Sequence, residues 1–216
     1  MTTNYDMYQF ALAYKPQFHC EQNPNPNPNP NPKVSRDSSS SSELLLIPHG
    51  LWPSNSNKNE KKALHYCSTE SEESKKELMK HLNRRQRHQW LKHGSCSNLS
   101  MDEYFVQEKQ LYRSKQVKSI EKKLNEALSN KSIIDMNALN QKNIAVQTTE
   151  DCILKEIFMC YTKNNDTNNV DKPITCPSYI KKRSYRHNCK NVYLQQKYKC
   201  QTLSKDMVKL LKKNQD

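Results

Sequence analysis

Apolar and polar positions alternate loosely over residues 5–14, through Tyr5-Asp6-Met7-Tyr8-Gln9-Phe10-Ala11-Leu12, and predict a first strand. The apolar run Leu44-Leu45-Leu46-Ile47 predicts a second, buried strand. Between them lie five Asn-Pro repeats at 23–32 and five serines at 38–42. Proline fixes φ and removes a backbone donor, and serine buries no apolar surface, so the span reads as one long loop. Residues 70–93 read as a helix, with Glu72, Glu73 and Glu77 near its start and Lys80, Arg84, Arg85 and Arg87 near its end, an order that complements the helix dipole. Residues 101–129 carry Tyr104, Phe105, Leu111, Val117, Ile120, Leu124 and Leu128 at helical spacing, with Ser100 or Asp102 as the cap. Ile133–Leu139 reads as a short third helix, and residues 144–146, 157–161 and 192–194 as strands. Leu203, Met207, Leu210 and Leu211 recur at helical spacing among lysines in the tail, where the plain reading is a solvated amphipathic helix.

Composition narrows the classes. A chain of 216 residues is long enough for one domain with its own core. Its hydrophobic fraction of 34% is low, partly because the two polar tracts dilute it. The net charge of +13 makes a polyanion a natural partner, although excess lysine can also simply solvate a surface. Eight cysteines without a CxxC pair argue against a zinc ribbon or thioredoxin-like motif and for a disulfide framework, hence a secretory or extracellular compartment. Spacing alone leaves all 105 pairings of eight cysteines open. The start of the chain has no apolar leader, so it reads as a mature secreted form, and no stretch is long and apolar enough to span a membrane.

The chemistry concentrates in two blocks, Ile47-Pro48-His49-Gly50-Leu51-Trp52-Pro53 and His88-Gln89-Trp90-Leu91-Lys92-His93-Gly94-Ser95-Cys96. Each puts a histidine directly before a glycine. Two imidazoles on separate elements suit general acid–base cleavage of a phosphodiester, one taking a proton from the nucleophile and the other giving one to the leaving oxygen. At about 100° per residue, Gln89, Lys92 and His93 share one helical face, with His88 off to the side.

In sequence and order the blocks resemble the two active-site segments of the ribonuclease T2 family, close to HGLWP and HEWxKHGTC. Tyr8-Gln9-Phe10 and the later cysteines fit as well, and the resemblance runs from about residue 5 to about residue 190. It implies an α+β fold, a mostly antiparallel sheet flanked by helices and stapled by disulfides. Residues 1–200 would form a single domain with the low-complexity loop at 23–42, and 201–216 a basic C-terminal extension. It also implies an endoribonuclease acting on single-stranded RNA as a monomer, with no metal or other cofactor and no membrane. The substrate's 2′-hydroxyl attacks phosphorus and leaves a 2′,3′-cyclic phosphate, chemistry closed to DNA.

By the same resemblance His93 is the base, His49 the acid, Lys92 the stabiliser of charge on the phosphoryl oxygens and His88 a phosphate contact. Trp52 shapes the cleft and contacts substrate, and Gln9 is a base contact on the first strand. Implied bridges are Cys67–Cys96, Cys152–Cys189 and Cys160–Cys176. That leaves Cys20 and Cys200, which either pair, pinning the tail near the end of the first strand, or stay as free thiols. Relatives carry another cysteine near the loop, so Cys20 has lost its usual neighbour.

Gln89 departs from the pattern, which has glutamate there. An amide can hydrogen-bond a phosphate oxygen but carries no charge, so reduced activity is expected. Pro48 removes a backbone donor beside His49. The alternative reading is therefore a basic RNA-binding or recognition protein of the same fold with weak or lost catalysis. The basic charge resembles the self-incompatibility ribonucleases of plants, which would add a protein recognition partner. Asn98, Asn130 and Asn165 open N-glycosylation triplets.

Overall fold

The structure, a computed structural model, describes residues 4–22, 44–57, 64–68, 77, 80–196, 200 and 202–213. The Asn-Pro repeats, the serine run and most of the expected helix before residue 80 lie outside the described residues.

The architecture is α+β. A five-stranded antiparallel sheet is built from β1 (Met7–Tyr14), β2 (Leu46–Ser54), β4 (Ile144–Thr148), β5 (Leu154–Lys163) and β6 (Val170–Pro173). Its order is β2-β1-β5-β4, with β6 also pairing β5. A small second sheet pairs β3 (Ile133–Asp135) with β7 (Asn191–Tyr193). The helices are α1 (Lys15–Gln22), α2 (Arg84–Lys92), α3 (Met101–Tyr112), α4 (Lys115–Asn130), α5 (Met136–Leu139), α6 (Ser178–Tyr185) and α7 (Lys205–Lys212), with a 3₁₀ turn at Gly94–Cys96.

The sheet separates two apolar layers. All eight residues of β1 are buried, because both faces of this inner strand are covered. Tyr8, Phe10, Leu12 and Tyr14 point into the larger core with Ile157, Met159, Val117, Ile120 and Leu124. Met7 and Ala11 point the other way, into a smaller layer with Phe158, Cys160 and Ile180 of α6. Fully burying one such aliphatic or aromatic side chain contributes roughly 1.5–3 kcal/mol, so the larger layer dominates the stability. Three tyrosine hydroxyls then fix the two histidine blocks: two hold the first block or its preceding residue, and one holds the residue after the second. Tyr104 donates to Leu51 O at 2.9 Å, Tyr112 donates to Leu46 O at 2.8 Å, and Tyr5 donates to Ser97 O.

Several elements differ from the sequence reading. The helix expected over 70–93 does not run through to its end: Asn83 starts a new helix, accepting from the Gln86 N–H while the Gln86 side chain accepts from the Asn83 N–H. A reciprocal cap of this kind outweighs the continuing run of helix formers. The expected 101–129 helix is two, because Ser114 caps a second start by accepting from Val117 N–H. Ser100, not Asp102, caps the first. Ile133–Asp135 is a strand paired to β7, and only Met136–Leu139 is helical; Asp135 accepts from Asn137 N–H and ends the strand. Helices α1 and α6 and strand β6 carry no strong periodicity and were not foreseen.

Four disulfides are present: Cys20–Cys200, Cys67–Cys96, Cys152–Cys189 and Cys160–Cys176, with Cα separations of 5.5, 5.0, 5.6 and 5.3 Å. Leu211 of α7 is buried against the body, and its carbonyl accepts from Lys190 N–H at 2.9 Å. Among the described residues no helix is long and apolar enough to cross a membrane.

Candidate active site

The first block is strand β2 itself. In its pairing with β1, Gly50 faces Ala11 and Pro48 faces Leu12, which leaves His49 as the extra residue of a β-bulge. A bulge frees a side chain from the strict alternation of the pleat and re-aims it. Pro48 is tolerated because β2 is the edge of the sheet. Its carbonyl accepts from the Arg85 guanidinium of α2.

The second block ends α2. His93 is the C-cap, its N–H bonded to Gln89 O at 2.9 Å, and Gly94–Cys96 turns sharply away. The chain holds only two glycines, and each follows one of these histidines. Both are required by close approach. A Cβ on Gly50 would lie 2.1 Å from Gln89 Oε1 and 2.7 Å from Trp52 Nε1, and one on Gly94 would lie 2.4 Å from Trp90 Cε3. Gly50 thus makes the seat on which the Gln89 amide rests.

Trp52 joins the two blocks. Its indole stacks on the His93 ring at 4.9 Å and 22°, and meets the His49 ring edge-on at 5.4 Å. Its Nε1–H points to Gln89 Oε1 at 3.4 Å. His49 is half-exposed, and its Nδ1 contacts the Glu156 carboxylate of β5. His93, by contrast, is 2% exposed. The exposed His65 ring lies 4.8 Å from it.

Electrostatics follow from these surroundings. Burial, then the nearby His65 and Lys92 charges, push His93 down to about 3, against a hydrogen bond to the Leu64 backbone that pulls it up. The ring is therefore neutral above mildly acidic pH. Among the described residues the buried Nδ1 of His93 has no hydrogen-bond partner. His88 is lowered by partial burial, then by Lys92 and by His49. Among the described residues no group of three or more His, Cys, Asp or Glu side chains is arranged to hold a metal ion.

Trp52 contacts His49, His93 and Gln89, with Lys92 half-buried and His88 exposed nearby. Gln9 faces Trp52 in the sheet register but is fully buried. Its Nε2 donates to Ser54 Oγ at 2.7 Å and its Oε1 has no partner. Asn98, Asn130 and Asn165 are exposed.

A T2 ribonuclease, Actibind, superposes with a TM-score of 0.52 at 13% identity, over 92% of each chain. The fold is that of a T2 ribonuclease. Similarity extends to trichomaglin, described as an S-like ribonuclease, with a TM-score of 0.48 and 16% identity over 81% of this chain and 98% of that one. It extends also to the self-incompatibility-associated SF11-RNase of Nicotiana alata, with a TM-score of 0.45 and 20% identity over 81% and 92%. No family model and no curated protein matches the chain.

Sequence reasoning missed Glu156, His65 and Arg183. Glu156 had a signal: in a strand where Ile157, Met159 and Tyr161 face the larger core, it shares the opposite face with Phe158 and Cys160. A carboxylate there needs a partner. His65 had none beyond its place two residues before Cys67, which is tied to Cys96.

Proposed function

We propose that the chain is an endoribonuclease that cleaves single-stranded RNA by transphosphorylation, leaving a 2′,3′-cyclic phosphate. The observation that carries this is the pair of imidazoles, delivered by separate elements onto one tryptophan, in opposite surroundings. His93, kept neutral by burial, takes the proton of the 2′-hydroxyl. His49 gives the proton that the departing 5′-oxygen needs. Lys92 stabilises charge on the phosphoryl oxygens and His88 helps hold the phosphate. Trp52 borders the base, with the buried Gln9 beside it in the sheet.

The net charge of +13 supports attraction to RNA and, within the fold, the self-incompatibility type with a protein partner. Four disulfides support a secreted protein, glycosylated at Asn98, Asn130 and Asn165 and acting as a monomer. Residues 1–200 would act as the catalytic domain and 201–216 as a basic extension.

Gln89 favours a second reading, an RNA-binding protein with little catalysis. Its amide is buried, seated on Gly50 and aligned with the Trp52 indole, so it serves packing without supplying charge. The two readings separate when wild-type, His49→Ala and His93→Ala proteins are incubated with single-stranded RNA in EDTA. The ribonuclease reading requires cleavage by wild type and loss in both variants. Equal RNA binding with no cleavage by any of the three would leave the second reading.

A further inference from the structure

We infer that Glu156 is a positioning residue for His49, a carboxylate–imidazole pair that aims the proton donor of the site; the inference rests on the ribonuclease reading. A β-bulge leaves the His49 side chain without the orientation that regular pairing would impose, so something else must set it. Glu156 does so from two strands away. Strand β1 runs between them, and Ala13 pairs with both Ile47 of β2 and Glu156 of β5. The next residue on the same face, Ala11, pairs with Gly50 and Phe158. Two alanines and a glycine keep this face low, so the His49 ring can reach across β1 to the carboxylate. The contact is made at Nδ1, on a carboxylate whose side chain is 11% exposed, while the His49 side chain is 34% exposed. The accessible edge of the ring therefore carries Nε2.

The surroundings of the carboxylate include a cation. Arg183 lies over the Phe158 ring at 4.2 Å, close enough for the Glu156 charge to raise it against the lowering effect of its own burial. A buried carboxylate accepting Nδ1–H fixes the ring flip and the tautomer together, as outer partners do for histidine ligands and bases. During cleavage the O2′–P bond forms and the P–O5′ bond breaks, the 5′-oxygen takes the proton from His49 Nε2, and the proton of the 2′-hydroxyl rests on His93. The Nδ1 proton stays on Nδ1 throughout, and the carboxylate only positions the ring. A carboxylate kept only for packing would be replaceable by glutamine at no catalytic cost.

The test combines a spectroscopic signature with kinetics on the full chain, in E156Q, with E156D as the conservative variant. Proton NMR of ¹⁵N-histidine-labelled protein should show a downfield Nδ1–H resonance, assigned to His49 by its loss in His49→Asn and displaced upfield or lost in E156Q. With E156Q folded, as judged by an unchanged far-UV spectrum, kcat should fall about 10–100-fold with KM changed less than about twofold, and E156D should recover part of the loss. In a His49→Ala background E156Q should cost nothing further, since the pair acts as a unit. An Nδ1–H resonance unmoved in E156Q, or a folded E156Q with wild-type kcat, overturns the inference. Should the wild-type chain cleave no RNA at all, the ribonuclease reading fails by itself and the resonance alone decides whether Glu156 positions His49.

Discussion

The two histidine blocks of this chain treat the same side chain in opposite ways. On β2, His49 stands on a bulge at the sheet edge, half-exposed, with one ring nitrogen against a carboxylate. At the end of α2, His93 is sealed between Trp52 and His65, with cationic neighbours and, among the described residues, no carboxylate in contact. A carboxylate contact on one side and desolvation on the other give two like side chains opposite surroundings. The asymmetry comes from backbone geometry. A strand bulge presents a side chain outward over the sheet, whereas a helix C-cap turns it under the following chain, here tied down by Cys67–Cys96.

The strongest way to break the comparison is to remove either ring. His49→Ala and His93→Ala are each expected to lose roughly 10²–10⁴-fold in RNA cleavage, measured as kcat/KM on a defined oligonucleotide. Retention of activity by either variant would mean that the two rings are not a pair.

The next effect is in pH. The folded state holds His93 near 3, below its ordinary value of 6.5, so the unfolded chain binds the extra proton first. Stability is then full above about pH 6.5 and is lost as pH falls toward about 3, by an amount on the order of a few kcal/mol. Denaturant midpoints measured across that window should fall on acidification and fall less in His93→Phe. The rate should keep its unprotonated base well below pH 6, so the acid limb of the profile lies lower than an ordinary histidine would give.

Gly50→Ala attacks the seat that joins the blocks. Its Cβ would collide with Gln89 and Trp52, so a loss of roughly 1–3 kcal/mol in stability is expected, with cleavage falling alongside. Thermal melts and initial rates on the same preparation check both. The smallest effect is Gln89→Glu. Glutamate is nearly isosteric and can keep the approach to Trp52 Nε1, while adding negative charge beside His93, so the rate should rise, by about tenfold or less. A rate no higher at any pH would mean that position 89 does not limit the reaction.

Legibility in the sequence followed the reach of the interactions. Strands β1, β4 and β5 and the helical character of 101–130 showed as local periodicity. The breaks at Asn83 and Ser114 are decided by single capping side chains, which a window of apolar spacing averages away. His49, His93, Gln89 and Lys92 were legible because they cluster in two short blocks. The partner of Glu156 was not, because its link to His49 spans 107 residues and depends on small residues of β1 lying between. The burial of Gln9 and the capping of His93 by His65 arise likewise from tertiary contact.

The most direct test uses a DNA oligonucleotide carrying one internal ribonucleotide, incubated with wild-type and His49→Ala protein in EDTA, with the products weighed by mass spectrometry. The account predicts cleavage by wild type at that one position, on the 3′ side of the ribonucleotide, with a 2′,3′-cyclic phosphate on the upstream fragment and little product from His49→Ala. Cleavage at deoxynucleotides, or an upstream fragment ending in a 3′-hydroxyl, would contradict it.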